Sequence, residues 1–512
     1  MRHGLLRRVA LASCIAVLAG CSAAPAAVHQ GAGQSVSATH PPITLAGYYE
    51  QKLHWRPCDN GFQCARLLVP FDYGRPAWKR FSLPVIKLPA ADPGRRIGSL
   101  VVNPGGPGES GVQYAQQQAR SAVAPAVLDR FDVVGFDPRG VGGSLPAVHC
   151  MSGPQLDTYF ATDDTPDTPA QLARVVSESK LFARECGQHA GSLLPYIGSR
   201  SAARDLDVLR AALGDRKLTY LGKSYGTYLG AWYAQLFPRH VRALVLDGAL
   251  DPDATSTDIN ITQGEGFEVA LRSFTANCMR LAGCPLGQGS DVSGGIARLQ
   301  GLLNRATRTP LANDLGDGRP ANGSLLLEGV VAALYAKAYW PALTSALRSA
   351  FGGDGTLLIN LADSLLQRSP NGSYTNLADA NMAINCLDRP WPHALPAWRS
   401  IASQAAKAAP QFGASIVWGS SLPCAYWPAK SDPLPRITAT GAPPILVVGT
   451  TRDPATPYRW AQALARELES GVLLGWNGDG HTAYGMGSSC VDTIVNNYLI
   501  RGAVPRSGTV CP

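Results

Sequence analysis

Five short apolar runs, each stopping at Gly, Asn or Asp, constrain this chain more than any other feature: "GSLVVNPGG" at 98–106, "FDVVGFDPRG" at 131–140, "LTYLGKSYG" at 218–226, "VRALVLDGAL" at 241–250 and "PPILVVGTTRDP" at 443–454. Apolar throughout and punctuated by turn residues, such runs are the pattern of strands buried on both faces of a parallel sheet. Between them the period lengthens. "SAARDLDVLRAALG" at 201–214 sets Leu206, Leu209 and Leu213 on one helical face with Gly214 closing it, and "TYLGAWYAQLFP" at 227–238 runs apolar up to Pro238. Strands alternating with helices predict an α/β sheet. The alternation stops after Asp251 and resumes at 443, and the chain between reads mostly helical, with "LLLEGVVAALYAKAYWPALTSALRSAFGG" at 325–353 and "LLINLADSLLQR" at 357–368. A return to the same sheet favours a cap laid over the strand ends rather than an independent domain.

The first residues stand apart. Arg2, Arg7 and Arg8 precede an apolar run from Val9 to Leu18 that ends in "LAGC", an export signal too short to span a bilayer. "LAGC" resembles a bacterial lipobox, which makes Cys21 the lipidated first residue of the mature chain; cleavage near Ser22 to Ala24 with release of a soluble protein is the alternative. The expected organisation is a signal at 1–20, a flexible tether at 21–45, a first core segment at 46–252, a helical cap at 253–435 and a closing core segment at 436–512. With the signal arginines removed, 42 basic residues face 37 acidic ones, and no Lys/Arg run or basic-aromatic stripe marks a nucleic-acid surface.

Of twelve cysteines, Cys14 leaves with the signal and Cys21 is assigned to lipid, so ten remain, an even number in an exported chain, which favours disulfides. Sequence leaves their connectivity open. Nearest-in-sequence pairing is the simplest expectation: Cys58–Cys64, Cys150–Cys186, Cys278–Cys284, Cys386–Cys424 and Cys490–Cys511. No CxxC or HExxH pattern supports a metal, and none is expected.

Gly222-Lys223-Ser224-Tyr225-Gly226 fits G-x-S-x-G between a strand and a helix, the context of a nucleophile elbow. A hydroxyl is a poor nucleophile at neutral pH and needs a base. His481, in the Gly-rich stretch "NGDGHTAYG" after the strand-like "GVLLGW" at 471–476, is the histidine so placed. The carboxylate that orients it is Asp453, which ends "ILVVGTTRD" and completes the order Ser, Asp, His; Asp247 is the competitor and Asp479 a loop residue. "NPGGPGESG" at 103–111 offers backbone donors for a developing oxyanion, Gly106 N–H among them, with Tyr225 N–H as the second.

These residues, with "FDVVGFDPRGVGGS", "AINCLDRPW", "TTRDPATPY" and "HTAYG", resemble the actinobacterial tripeptidyl aminopeptidase-like α/β-hydrolases, which include mycobacterial exported serine proteases and lipoproteins; the likeness covers most of residues 50–511. The resemblance implies an α/β-hydrolase fold, mostly parallel, with a large helical cap inserted between late strands. It also implies Ser224 as nucleophile, Asp453 as acid, His481 as base, Gly106 and Tyr225 as oxyanion donors, no cofactor, and peptide or protein substrates for an enzyme anchored outside the membrane. Lys223 departs from the small or aromatic residue usual there, which bears on the pocket floor. An aminopeptidase must also bind a free ammonium, and Glu109, Glu265 and Glu268 are the candidate carboxylates. An esterase or lipase admitting acyl chains, and a silent binding protein on the same scaffold, are the competing readings.

Overall fold

The computed structural model describes residues 44–431 and 436–512, so the signal, Cys21 and nearly all of the tether lie outside the described residues. A ten-stranded sheet organises the segment Pro42–Pro512. Its strands are β1 (Arg56–Pro57), β2 (Gln63–Pro70), β3 (Arg80–Leu88), β4 (Gly98–Asn103), β5 (Phe131–Phe136), β6 (Leu218–Lys223), β7 (Val241–Asp247), β8 (Ile445–Arg452), β9 (Gly471–Asp479) and β10 (Thr509–Cys511). They lie in the order β1-β2-β3-β5-β4-β6-β7-β8-β9-β10. From β5 to β10 every pairing is parallel, while β1 to β3 form an antiparallel flank.

Every residue of β4, β5 and β6 is buried, because helices cover both faces. Alternate side chains serve opposite cores. Val101, Tyr220 and Leu246 pack with the helices Ser199–Ala212 and Tyr225–Leu236, whereas Leu100, Leu221 and Val245 pack with Gly111–Ala122 and Ser489–Arg501. Between β7 and β8 the chain leaves the sheet for a helical insertion with a core of its own, including Phe274, Leu302, Leu326, Leu343 and Leu358. The long apolar stretch at 325–353 is two helices, Gly323–Leu334 and Trp340–Phe351, interrupted at Lys337–Tyr339, with Pro341 in the first turn of the second, where proline is tolerated.

A second excursion, between β5 and β6, was not singled out from sequence. It carries the helices Gly153–Ala161 and Pro169–His189 and leans on the insertion: Asn322 Nδ2 donates to Ala161 O (2.7 Å) and Ser324 Oγ to Asp164 Oδ1 (3.2 Å). All five disulfides join the expected neighbours: Cys58–Cys64, Cys150–Cys186, Cys278–Cys284, Cys386–Cys424 and Cys490–Cys511. Among the described residues no helix is long and apolar enough to cross a membrane.

Candidate active site

Ser224 sits between β6 and the helix Tyr225–Leu236 with φ 55° and ψ −126°, a conformation that costs a non-glycine residue on the order of 1–3 kcal/mol and persists only where its surroundings enforce it. They do so by close packing. A Cβ at Gly222 would lie 2.3 Å from Gly226 O, and one at Gly226 would lie 2.8 Å from Asn103 Oδ1, so the strand can reverse into the helix only with glycine at both positions. Ser224 N donates to Asp247 O at 2.9 Å, which ties the elbow to the end of β7.

Asp453, just beyond β8 and 2 % exposed, meets His481, just beyond β9, with Nδ1 at 2.9 and 3.0 Å from its two oxygens. The carboxylate also accepts from Ala455 N (3.0 Å), Thr456 N (2.9 Å), Thr456 Oγ1 (3.1 Å) and Thr482 N (3.0 Å). Burial, the largest influence on the imidazole, pulls its pKa down, but the charge and hydrogen bond of Asp453 outweigh it and leave His481 above its usual 6.5. His481 Nε2 is buried and has no hydrogen-bond partner among the described residues, so no hydrogen bond joins it to Ser224. The two meet across Asp247 and Gly248: Asp247 O holds Ser224 N, and a Cβ at Gly248 would lie 3.2 Å from His481 Cε1.

The loop after β4 closes on the elbow from the other side. Gly105 and Gly106 have φ of 112° and 101°, and a Cβ at Gly105 would lie 2.9 Å from Ser224 Cβ and 3.1 Å from Tyr225 N. Tyr225 opens its helix, where an N–H has no acceptor within the helix, and Gly106 N–H has no acceptor among the described residues.

From Gly106 a cavity of about 260 Å³ runs up between the insertion and the 153–189 excursion. Glu109 and Tyr335 line its lower end, and the Tyr335 ring stands edge-on to His481 with centroids 5.4 Å apart. Ser224 and His481 are not part of the wall; His481 stands behind Tyr335 and Ser224 beside Gly105, the neighbour of Gly106. The wall also carries Tyr159, Phe182, Phe267, Phe412 and Trp418, with the carboxylates of Asp164, Glu178 and Glu328. No Lys, Arg or His belongs to the wall among the described residues. Burial pushes Glu328 up to about 7, with the charge of Asp164 adding to the shift, and pushes Asp164 up to about 6 against the hydroxyls of Ser415 and Ser324. Burial also raises Glu109, opposed by His481.

A family model described as TAP-like protein matches residues 409–511. The serine protease Hip1 of Mycobacterium tuberculosis (strain ATCC 25618 / H37Rv) is 38% identical over 485 residues, covering 90% of this chain and 91% of that protein. Carboxylesterase B of the same strain is 38% identical over 455 residues (88% and 86%), and the tripeptidyl aminopeptidase of Streptomyces lividans 32% over 520 (97% and 94%). The chain belongs to the tripeptidyl aminopeptidase-like α/β-hydrolases. By family it is a hydrolase.

Against what was expected of such a hydrolase, two of the three candidate ammonium ligands sit elsewhere. Glu265 pairs with Arg459 on the surface, and Glu268 accepts from Gln411 N and so holds a loop; neither lines the cavity, whereas Glu109 does. Both missed the wall because helix Ser256–Met279 turns Gln263 and Phe267 towards it instead. Lys223 is not at the pocket floor either: its Nζ reaches Tyr484 O at 2.7 Å. Asp247, the competing carboxylate, accepts from Ala483 N and Tyr484 N and has no hydrogen bond to His481; Asp479 pairs with Arg452. Sequence reasoning missed Thr456, Asp164 and Glu328. "DPAT" carried a signal for the first, since an Asp side chain that caps the amides two and three residues on is a common turn device. Asp164 and Glu328 lie 164 positions apart, one in a bend between two helices and the other on a helix of the insertion, and had none.

Proposed function

We propose that this chain is an exported serine peptidase that removes short peptides, tripeptides in the family's manner, from free N-termini. Ser224 is the nucleophile, His481 the base, Asp453 its orienting acid, and Gly106 and Tyr225 N–H the oxyanion donors. Ser224 Oγ attacks the scissile carbonyl while His481 Nε2 takes its proton; the amine leaves with that proton, and water repeats the cycle on the acyl-enzyme. The observation that carries the reading is the cavity wall, with Glu109, Asp164, Glu328 and the Arg174-paired Glu178, and no cationic side chain in the wall among the described residues. A substrate acyl chain would gain nothing from those carboxylates, whereas an α-ammonium would be drawn to them, most strongly to Glu328 and Asp164, which have no cationic partner among the described residues. Attachment to the outer membrane face through lipid on Cys21, and the division at 252 and 435 into core and cap, belong to the same proposal.

The aromatic lining, with Leu365 and Leu366, favours an ester reading as the second choice, and one relative is named a carboxylesterase. Free-amino and N-acetylated tripeptide amides assayed beside short and long acyl esters separate the two. The peptidase reading expects acetylation to lower kcat/KM by about 100-fold, the scale of a lost buried charge pair. Equal rates on both peptide sets, with faster ester turnover, would end it.

A further inference from the structure

Lys223 is a charged side chain placed immediately before the elbow serine, and it is only 8 % exposed. Its Nζ donates to Tyr484 O at 2.7 Å, lies 3.4 Å from Thr482 Oγ1, and stands 3.7 Å from Asp247 Oδ2. Asp247, 0 % exposed, accepts from Ala483 N (2.9 Å) and Tyr484 N (3.0 Å), while its own carbonyl receives Ser224 N (2.9 Å). A single buried pair on adjacent strands thus grips the three residues that follow His481 and the backbone of the elbow. The grip has strain to hold. Thr482 has φ 67°, a left-handed conformation unfavourable for a β-branched residue.

We propose that Lys223 is a positioning residue for His481: with Asp247 it forms a buried strut that fixes the 481–485 loop against the elbow and balances the negative charge behind the imidazole. The charged and titratable groups around that ring are Asp453 from the end of β8, Asp247 from β7, Lys223 from β6, Glu109 from the loop after β4 and Tyr335 from the insertion, with Asp492 of the last helix acting on Lys223. Without the ammonium, Asp247 would favour the imidazolium unopposed, and a base that holds its proton too tightly returns it slowly to the leaving group. Burial pushes Lys223 down and Asp247 up, and each pulls the other back. The strut serves either substrate class, but it rests on His481 being the base.

The test compares Lys223→Met, Lys223→Gln, Asp247→Asn and the Lys223→Met/Asp247→Asn double variant with His481→Ala, on a chromogenic peptide or ester and by fluorophosphonate labelling across pH. Lys223→Met is expected to lower kcat about tenfold or more with KM within about twofold, and to move the acid limb of kcat/KM to higher pH. Asp247→Asn should move that limb to lower pH, and the double variant should return it towards the wild-type position. Lys223→Gln, which keeps a donor for Tyr484 O without the charge, should recover part of kcat and keep the upward shift. A structural residue would not move the limb in opposite directions in the two single variants. If Lys223→Met does not fold, Lys223→Gln and Asp247→Asn carry the same sign test. Limbs that stay put or shift together, or an unchanged kcat in Lys223→Met, overturn the proposal; activity surviving in His481→Ala overturns the assignment of the base instead.

Discussion

Asp453 is held by donors on every side, and Thr456 supplies two of them while its Oγ1 also lies 3.2 Å from His481 Nδ1. Thr456→Val keeps the volume and the backbone donor but removes the hydroxyl. The expected result is about a tenfold fall in kcat with KM nearly unchanged, the worth of one buried hydrogen bond, read from steady-state kinetics on any substrate the wild type accepts. Asp453→Asn is a harsher change, because an amide can present a donor to Nδ1 and reverse the tautomer; the general serine-triad template sets the loss at about 10⁴ in kcat. A loss under about tenfold would remove Asp453 from its role. At this scale the elbow glycines, Ser224, Asp453 and His481 were legible in the sequence, since each closes or follows a strand-like run. Thr456 was half-legible. Glu328 and Asp164 were silent, because a carboxylate's partner in space leaves no mark on its neighbours in the chain.

Two elements decide where the cavity lies, and the loop that carries His481 is stitched to one of them. His481 N donates to Tyr335 O at 2.7 Å, Ala336 pairs with Gly480, and Lys337 meets Asp479 at 3.4 Å, so the insertion at 335–337 is tied directly to the loop that carries His481. The other element, the 153–189 excursion, is anchored by Cys150–Cys186, which closes a loop with a sequence separation of 36. Replacing both cysteines by serine should lower the unfolding free energy by about 2–4 kcal/mol, measured by denaturant titration. KM should rise more than kcat falls, because the excursion lines the cavity and Ser224 lies outside it. An equal fall in kcat with KM preserved would place the excursion's influence on the chemistry instead. The antiparallel flank escaped the sequence reading because "QCARLLVP" and "RFSLPVIKL" mix polar residues and proline into a pattern that only pairing resolves.

Across the whole molecule, the acidic cavity carries a stability cost that depends on pH. Glu328 at about 7 and Asp164 at about 6 stand above their ordinary values of 4.5 and 3.8, so folding favours their protonated forms. Their contribution to stability is complete below the unfolded pKa values and is lost as pH rises through the folded ones, a window from about pH 4 to pH 7. Denaturant titration should find the free enzyme less stable at pH 8 than at pH 5, with Glu328→Gln recovering on the order of 2 kcal/mol at pH 8 while weakening turnover of free-amino peptides. A Glu328→Gln variant no more stable than wild type at pH 8 would contradict this. The sequence by itself determined the wound sheet, the helical insertion, the elbow and the strand ends that carry Ser224, Asp453 and His481, because burial on both faces and sharp turns are local demands that residue type must meet. Tertiary structure alone decided which carboxylates face the cavity, that Lys223 turns away from it towards Tyr484, and that the insertion grips the loop that carries His481. Those outcomes depend on how two helical excursions pack over one sheet edge, and contacts between residues hundreds of positions apart obey geometry that no local pattern encodes.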